Sequence, residues 1–179
     1  MFHVFNLLKI FGDRVDRDPL TQIYNRKYFY EALPRVRSLR TEKGTSIMML
    51  DIDNFKSIND NWGHLVGDRV ILAVVDIIKD SIRDNDIFAR LGGEEFGLLL
   101  PDTDGKQAIA VAERIRQNVQ QRTGPGYHYA LPVKVTLSIG VCSAIQNNVN
   151  SNDIMRDVDE ALYEAKHNGK NRIVTRQAE

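Results

Sequence analysis

The sequence predicts an α+β domain built on the ferredoxin-like βαββαβ order, and three observations carry that prediction. Ile47-Met48-Met49-Leu50 is a continuous apolar run that ends in Asp51-Ile52-Asp53, as expected of a strand buried on both faces. Two short apolar runs, Asp86-Ile87-Phe88-Ala89 and Phe96-Gly97-Leu98-Leu99-Leu100, flank Arg90-Leu91-Gly92-Gly93-Glu94-Glu95. They read as a β-hairpin, because glycine supplies the positive φ that tight turns need. Helical periodicities separate these runs from one another and from an alternating stretch at Val133–Val141. The order is helix, strand, helix, strand-turn-strand, helix, strand, helix, strand. It gives an extra N-terminal helix followed by a βαββαβ unit, with strands pairing antiparallel and helices on one face.

Taken in order, residues 1–17 carry Val4, Leu8, Phe11 and Val15 as one helical stripe, widened by Leu7. That stripe fits a helix lying on the domain or the end of a dimerising, signal-carrying stalk, and two heptads do not decide between them. Asp18-Pro19-Leu20-Thr21 is a break, with Thr21 placed to cap the next helix, and residues 18–179 form the main domain. The helix over 25–40 has Tyr28, Phe29, Ala32, Leu33 and Val36 at helical spacing, with Pro34 as a kink. After the first strand, Asn54–Asn61 is a short helix or turn that Asp53 is placed to N-cap. Val70–Ile82 is an amphipathic helix with Ile71, Val74, Val75 and Ile78 inward, and Pro101 stops the second hairpin strand. Gly105–Arg122 carries Ala108, Val111, Ala112, Ile115 and Val119 on one face, and Thr123–Gly126 is a loop. Gln146–Asn152 is a polar linker and Asp153–His167 a helix, with Gly169 where a C-cap glycine belongs. Arg172–Thr175 closes as a short strand.

The bulk numbers narrow the function. At 179 residues the chain suits one domain with a short appendage, and 24 acids balance 24 bases, so no electrostatic grip on nucleic acid or anionic lipid is predicted. The single cysteine, Cys142, excludes an internal disulfide and reads as a small core residue in a reducing, cytoplasmic setting. No apolar run approaches the roughly 20 residues of a membrane span, and Asn6, Lys9 and Asp13 interrupt any secretion signal.

In the predicted topology the strand ending at Asp51 and the hairpin at Glu94-Glu95 are central neighbours, so their acids meet at one edge of the sheet. Three carboxylates without a cation push at least one pKa up, and a hard divalent cation relieves that. Mg2+ takes one or two protein carboxylates plus substrate phosphates, and no His/Cys spacing suggests zinc. A nucleoside triphosphate is the natural guest. Asp51 is favoured over Asp53, for which an N-cap role is available.

The palm of polymerases and nucleotidyl cyclases uses this arrangement, and the motifs point further. Arg90-Leu91-Gly92-Gly93-Glu94-Glu95-Phe96 resembles the signature of the GGDEF family, the diguanylate cyclases, in its GGEEF form. Asp18-Pro19-Leu20-Thr21 with Tyr24-Asn25-Arg26 resembles the family's opening motif. Asp51-Ile52-Asp53-Asn54-Phe55-Lys56, Asn59-Asp60, Gly63-His64 and Gly67-Asp68 resemble its central block. Leu137–Val141, Ala161–Lys166 and Gly169-Lys170-Asn171 are similar to its C-terminal blocks.

The resemblance implies condensation of two GTP into cyclic di-GMP with release of two pyrophosphates, in a homodimer whose domains face each other. It implies Mg2+ as cofactor, two ions per site with Mn2+ as a substitute, held by Asp51, the Ile52 carbonyl and Glu94, with Glu95 close by. Glu94 is then the candidate proton acceptor, although a metal-bound glutamate is a poor base. Lys56 offsets phosphate charge in the transition state. Phe55 belongs to the substrate-binding block, Asn59 and Asp68 read guanine, and His64 is either a substrate contact or a loop histidine packed near Trp62. Lys166 and Lys170 hold the terminal phosphates; the family more often has Arg at the second place, so Lys170 loses the bidentate fork. Arg83-Asp84-Asn85-Asp86 resembles the family's inhibitory RxxD motif and Arg114 its second arginine, which implies inhibition by the product. The alternative is a non-catalytic module binding cyclic di-GMP or GTP. An upstream sensory domain is an expected partner outside this chain.

Overall fold

A computed structural model describes residues 16–38, 41–145 and 150–177. The apolar stripe from Val4 to Val15 lies outside the described residues, as does the first part of the polar linker, 146–149. The chain forms β1 (Tyr24–Asn25), α1 (Arg26–Ser38), β2 (Thr45–Ile52), α2 (Phe55–Trp62), α3 (His64–Lys79), β3 (Ile87–Arg90) and β4 (Glu95–Pro101). It continues through α4 (Gly105–Arg122), β5 (Leu137–Ile145), α5 (Ser151–His167) and β6 (Ile173–Gln177). One six-stranded sheet runs in the order β1-β3-β4-β2-β5-β6. Its centre is the antiparallel ferredoxin-like set, with β2 paired to β4 on one side and β5 on the other, and β3 beside β4. The added edge strands β1 and β6 pair in parallel with β3 and β5.

Every residue of β2 is buried, as its unbroken apolar run predicts. Alternate residues feed two cores. Met48, Leu50 and Ile52 pack with Phe96, Leu98 and the inward faces of α3 and α4. Ile47 and Met49 pack instead with Phe29 and Leu33 of α1 and Ile154, Val158 and Leu162 of α5. Helices therefore cover both faces, which corrects the one-face expectation: α1 and α5 lie outside the βαββαβ unit and close the face it leaves open. Gly140 fixes how closely α5 approaches, since a Cβ there would stand 2.5 Å from both the Leu162 nitrogen and the Val158 oxygen.

Other boundaries differ for physical reasons. Thr21 does not cap α1; its N–H and hydroxyl donate to Asp18, while Asn25 Oδ1 accepts the Tyr28 N–H at 3.0 Å. Helix α1 continues through Pro34. Helix α3 starts at His64 and includes Gly67, and β5 begins only at Leu137, opposite Ile52 where β2 ends. Cys142 is buried and burial lifts its thiol to about 11, so it is an inert core residue. Among the described residues, no helix is long and apolar enough to cross a membrane.

Candidate active site

The end of β2 brings the acids together. Asp51 is 3% exposed and lies directly across from Glu95 of β4, while the Ile52 N–H donates to the Glu94 carbonyl at 3.2 Å. Like charges on paired strands oppose each other. From the covering helix α5, Lys166 Nζ reaches Asp51 Oδ2 at 2.9 Å. Burial is the dominant influence on the Asp51 carboxyl and lifts it to about 6; Lys166 opposes the rise, and Glu94 and Glu95 add to it. Partial burial works against the charge on Lys166, but Asp51 outweighs it, with Glu95 and Glu94 helping, and holds the ammonium above the usual lysine range.

Among the described residues, no three His, Cys, Asp or Glu side chains gather into a metal-holding cluster. The oxygen donors present, Asp51 with Glu94 and Glu95 nearby, fit a hard cation that completes its shell with water and substrate phosphates. A buried carboxylate destabilised in its charged form is what such a cation would relieve.

Asp53, two residues on, is framework. Its Oδ1 accepts the Ser138 hydroxyl at 2.6 Å, and its Oδ2 accepts the Thr136 hydroxyl at 2.7 Å and the Asn171 N–H at 2.9 Å. It therefore joins β2, β5 and the loop before β6, and it does not cap α2; Asn54 holds the cap position at φ 57° without a side-chain bond to the helix. Asn54 Oδ1 instead accepts Lys170 Nζ at 2.5 Å. Gly169, Lys170 and Asn171 have φ of 112°, 60° and 45°. Two non-glycine residues in the left-handed region cost about 1–2 kcal/mol each. The Asp53 bond, the Lys170 N–H to the Ala165 carbonyl (3.0 Å) and Arg116 Nη1 to Asn171 Oδ1 (2.8 Å) hold them there. Lys170 is thus delivered toward the same edge by a strained, over-determined loop.

The Gly-Gly loop is built differently from the sequence expectation. Neither Gly92 nor Gly93 has a left-handed φ. The reversal is made by the Leu91 and Gly92 N–H groups donating to the Glu95 carbonyl at 2.8 and 3.3 Å. The loop's carbonyls are held by two arginines. Arg90 donates to Gly92 O and Gly93 O through Nε at 3.1 Å and to Gly93 O through Nη2 at 2.7 Å, and Arg26 donates to Leu91 O at 3.3 Å. Asp18 holds Arg90 Nη1 at 3.1 Å and also accepts both Thr21 donors. Burial pulls the Asp18 carboxyl upward, but the Thr21 and Arg90 bonds outweigh it and keep the pKa below the usual value. The sequence signal for this role is an arginine directly before a glycine turn whose carbonyls need donors.

Helices α2 and α3 meet at Gly67, where a Cβ would stand 1.9 Å from Asn59 Oδ1. That oxygen is buried without a hydrogen-bond partner. Asp68 is exposed on the next residue, and His64 and Lys56 are exposed on α3 and α2. Phe55 is 9% exposed and its ring end lies 3.3 Å from the Gly67 Cβ position, so it forms the floor between the two helices.

The family description "Diguanylate cyclase, GGDEF domain" matches residues 15–172. The chain belongs to the GGDEF domain family. It is 51% identical over 98% of its length to "Probable diguanylate cyclase DgcT" of Escherichia coli K12, and 42% identical over 87% to "Diguanylate cyclase A" of Treponema denticola. It spans 39% and 43% of those two relatives' lengths. Among solved structures, the coiled coil and GGDEF domain of DgcB from Caulobacter crescentus, in complex with c-di-GMP, superposes with a TM-score of 0.87 at 29% identity. That match covers 97% of this chain and 92% of the other.

This GGDEF domain carries a second feature away from the acids. A cavity of about 320 Å3 is lined by Arg17, Tyr24, Lys79, Arg83, Asp86 and Phe88, among others. Arg83 and Asp86 make no ion pair; Asp86 Oδ2 accepts the Arg83 backbone N–H at 2.9 Å, which leaves the guanidinium out of that contact. Burial raises the Asp86 carboxyl, opposed by Arg83 and Arg114. Arg114 donates twice to the Ser81 carbonyl, at 3.2 and 2.7 Å, which fixes its guanidinium beside the turn that carries the motif.

Proposed function

We propose that this GGDEF domain is a diguanylate cyclase that joins two GTP molecules into cyclic di-GMP as a homodimer. The observation that carries the reading is the buried Asp51 carboxylate, raised to about 6, opposite Glu95 and within reach of a lysine from the covering helix. Asp51, the Ile52 carbonyl and Glu94 would hold Mg2+, with Glu95 adjacent. When bound, the cation neutralises triphosphate charge and aligns the α-phosphate for in-line attack.

Lys166 and Lys170 grip the terminal phosphates, and Lys56 offsets charge as it builds. Asn59 and Asp68 read guanine, because a carboxylate accepts from its N1-H and N2-H donors and adenine lacks that edge. Exposed His64 completes the nucleotide contacts from the first residue of α3, and Phe55 supports the base-reading helices from below. Each 3'-hydroxyl attacks the α-phosphate of the GTP held by the facing domain and pyrophosphate leaves, with Glu94 the candidate acceptor of the hydroxyl proton, a role that competes with its place beside the cation. Comparing Glu94→Gln with Glu95→Gln in pH–rate profiles separates the base from the cation ligand. The Arg83, Asp86 and Arg114 region, with its cavity, suits cyclic di-GMP as an inhibitor. GTP as substrate supports a cytoplasmic location.

The test is pyrophosphate release from GTP with Mg2+ over a protein concentration series. Release rising with the square of protein concentration supports a weak catalytic dimer. A flat trace with cyclic di-GMP binding retained would replace the cyclase reading with that of a receptor.

A further inference from the structure

We propose that Lys166 is an internal counter-ion occupying the Asp51 carboxylate, so that a divalent cation loads together with the triphosphate and not before it. The inference rests on the cyclase reading of Asp51 and goes beyond it. The two residues come from elements far apart in the chain, and the contact is made by placement. Gly140 lets α5 lie against β5, and Lys166 sits in the last turn of α5 with its ammonium 2.9 Å from Asp51 Oδ2. The Asp51 side chain is 5% exposed and that of Lys166 37%, so the carboxylate has little water to turn to while the lysine can leave toward solvent.

A cation approaching Asp51 without nucleotide meets a positive charge already paired with its main protein ligand, and no cluster of three acidic, His or Cys side chains among the described residues to outbid it. A triphosphate changes both terms. Its oxygens complete the cation's shell, and its terminal phosphates give the displaced ammonium a new anionic partner. Lys166 thereby serves two sites in turn, Asp51 when the nucleotide is absent and phosphate when it is present. Lys170, bonded to neutral Asn54, has no such first partner among the acids.

The experiment measures Mn2+ binding by electron paramagnetic resonance of the free ion, with Mn2+ alone and with Mn2+ plus the α,β-methylene analogue of GTP. Lys166→Met removes the charge at similar length, Lys166→Gln is the second variant, and Lys166→Arg keeps the charge; thermal melts establish that each is folded. Without nucleotide, Lys166→Met and Lys166→Gln should bind Mn2+ about tenfold more tightly than the unsubstituted chain, with Lys166→Arg close to it. With the analogue, the order should reverse. Equal Mn2+ affinity with and without the Lys166 charge, in the absence of nucleotide, overturns the inference. Asp51→Asn separates this from the parent reading: if it leaves Mn2+ binding with the analogue intact, Asp51 is not a ligand and both ideas fall.

Discussion

Two carboxylates at the tip of β2, both almost fully buried, sit in opposite electrostatic situations. Asp53 accepts neutral donors from two segments, the Thr136 and Ser138 hydroxyls at the start of β5 and the Asn171 N–H of the C-terminal loop. Asp51 faces Glu95 across the ladder, feels Glu94, and among the described residues has Lys166 as its side-chain partner. A buried charge whose acceptor sites are filled by fixed dipoles rigidifies the fold. A buried charge left to one partly exposed cation is unstable in its place and available for exchange. The two regions divide accordingly, with Asp53 at the junction of β2, β5 and the strained 169–171 loop and Asp51 at the edge it shares with the hairpin acids.

The sharpest way to break that comparison is to delete the framework acid. Asp53→Ala strips partners from Ser138, Thr136 and the Asn171 N–H and releases the left-handed loop. Stability should fall by about 3–5 kcal/mol in chemical denaturation. A loss below about 1 kcal/mol would place Asp53 in the same class as Asp51.

Asp51→Asn should do the reverse. The folded carboxyl titrates near 6, above its value of about 3.9 in an unfolded chain, so its ionised form opposes folding at neutral pH. The asparagine variant should be about 1–3 kcal/mol more stable at pH 7–8 while losing cyclase activity. Below pH 4 the carboxyl is protonated in both states, so the gain should close as pH falls from about 6 to 4. Melting curves of the two proteins across that range check the sign. A gap that widens toward acid would mean that Lys166 more than offsets the burial of Asp51.

How much of this was legible follows from where the partners lie. The pairing of Asp51 with the hairpin could be read, because a fully buried run and a tight hairpin leave few ways to pair, although among the described residues the three acids do not close into a cluster. The roles of Asp53 could not, since Thr136, Ser138 and Asn171 come to it only through the sheet order and the C-terminal loop. The resemblance places Lys166 at the phosphates, whereas its pairing with Asp51 depends on α5 covering the second face and has no sequence signal. The alternation at Val133–Val135 looks like strand and is not, because β2 has ended and offers those residues no neighbour. The apolar periodicity starts the helix only at Val70, whereas α3 already includes Gly67, where Asn59 fills the space a Cβ would take.

Arg90 sharpens the comparison from the hairpin side. Its guanidinium spans Asp18 and two loop carbonyls, a reach that needs a fork. Arg90→Lys keeps the charge and loses the fork, so turnover should drop about tenfold to a hundredfold through misplaced Glu94 and Glu95, with folding changed by under about 1 kcal/mol. Kinetics at saturating GTP alongside melting curves separate the two. Unchanged turnover would leave Arg90 as an ordinary hairpin residue.

The smallest stability effect belongs to Gly93, and it bears most directly on why the loop is glycine. Its φ is not left-handed, and a Cβ there would meet nothing within 4 Å. The fold alone therefore accepts alanine at this position. At Gly140, by contrast, the same methyl would strike the α5 backbone at 2.5 Å. Gly140→Ala should destabilise by about 2–4 kcal/mol, in the range of overpacked cores, while Gly93→Ala should stay within about 0.5 kcal/mol of the unsubstituted chain. If Gly93→Ala still weakens binding of the α,β-methylene GTP analogue by about tenfold or more, the glycine is required by what approaches the loop from outside. If binding is unchanged, the triphosphate does not lie against Gly93.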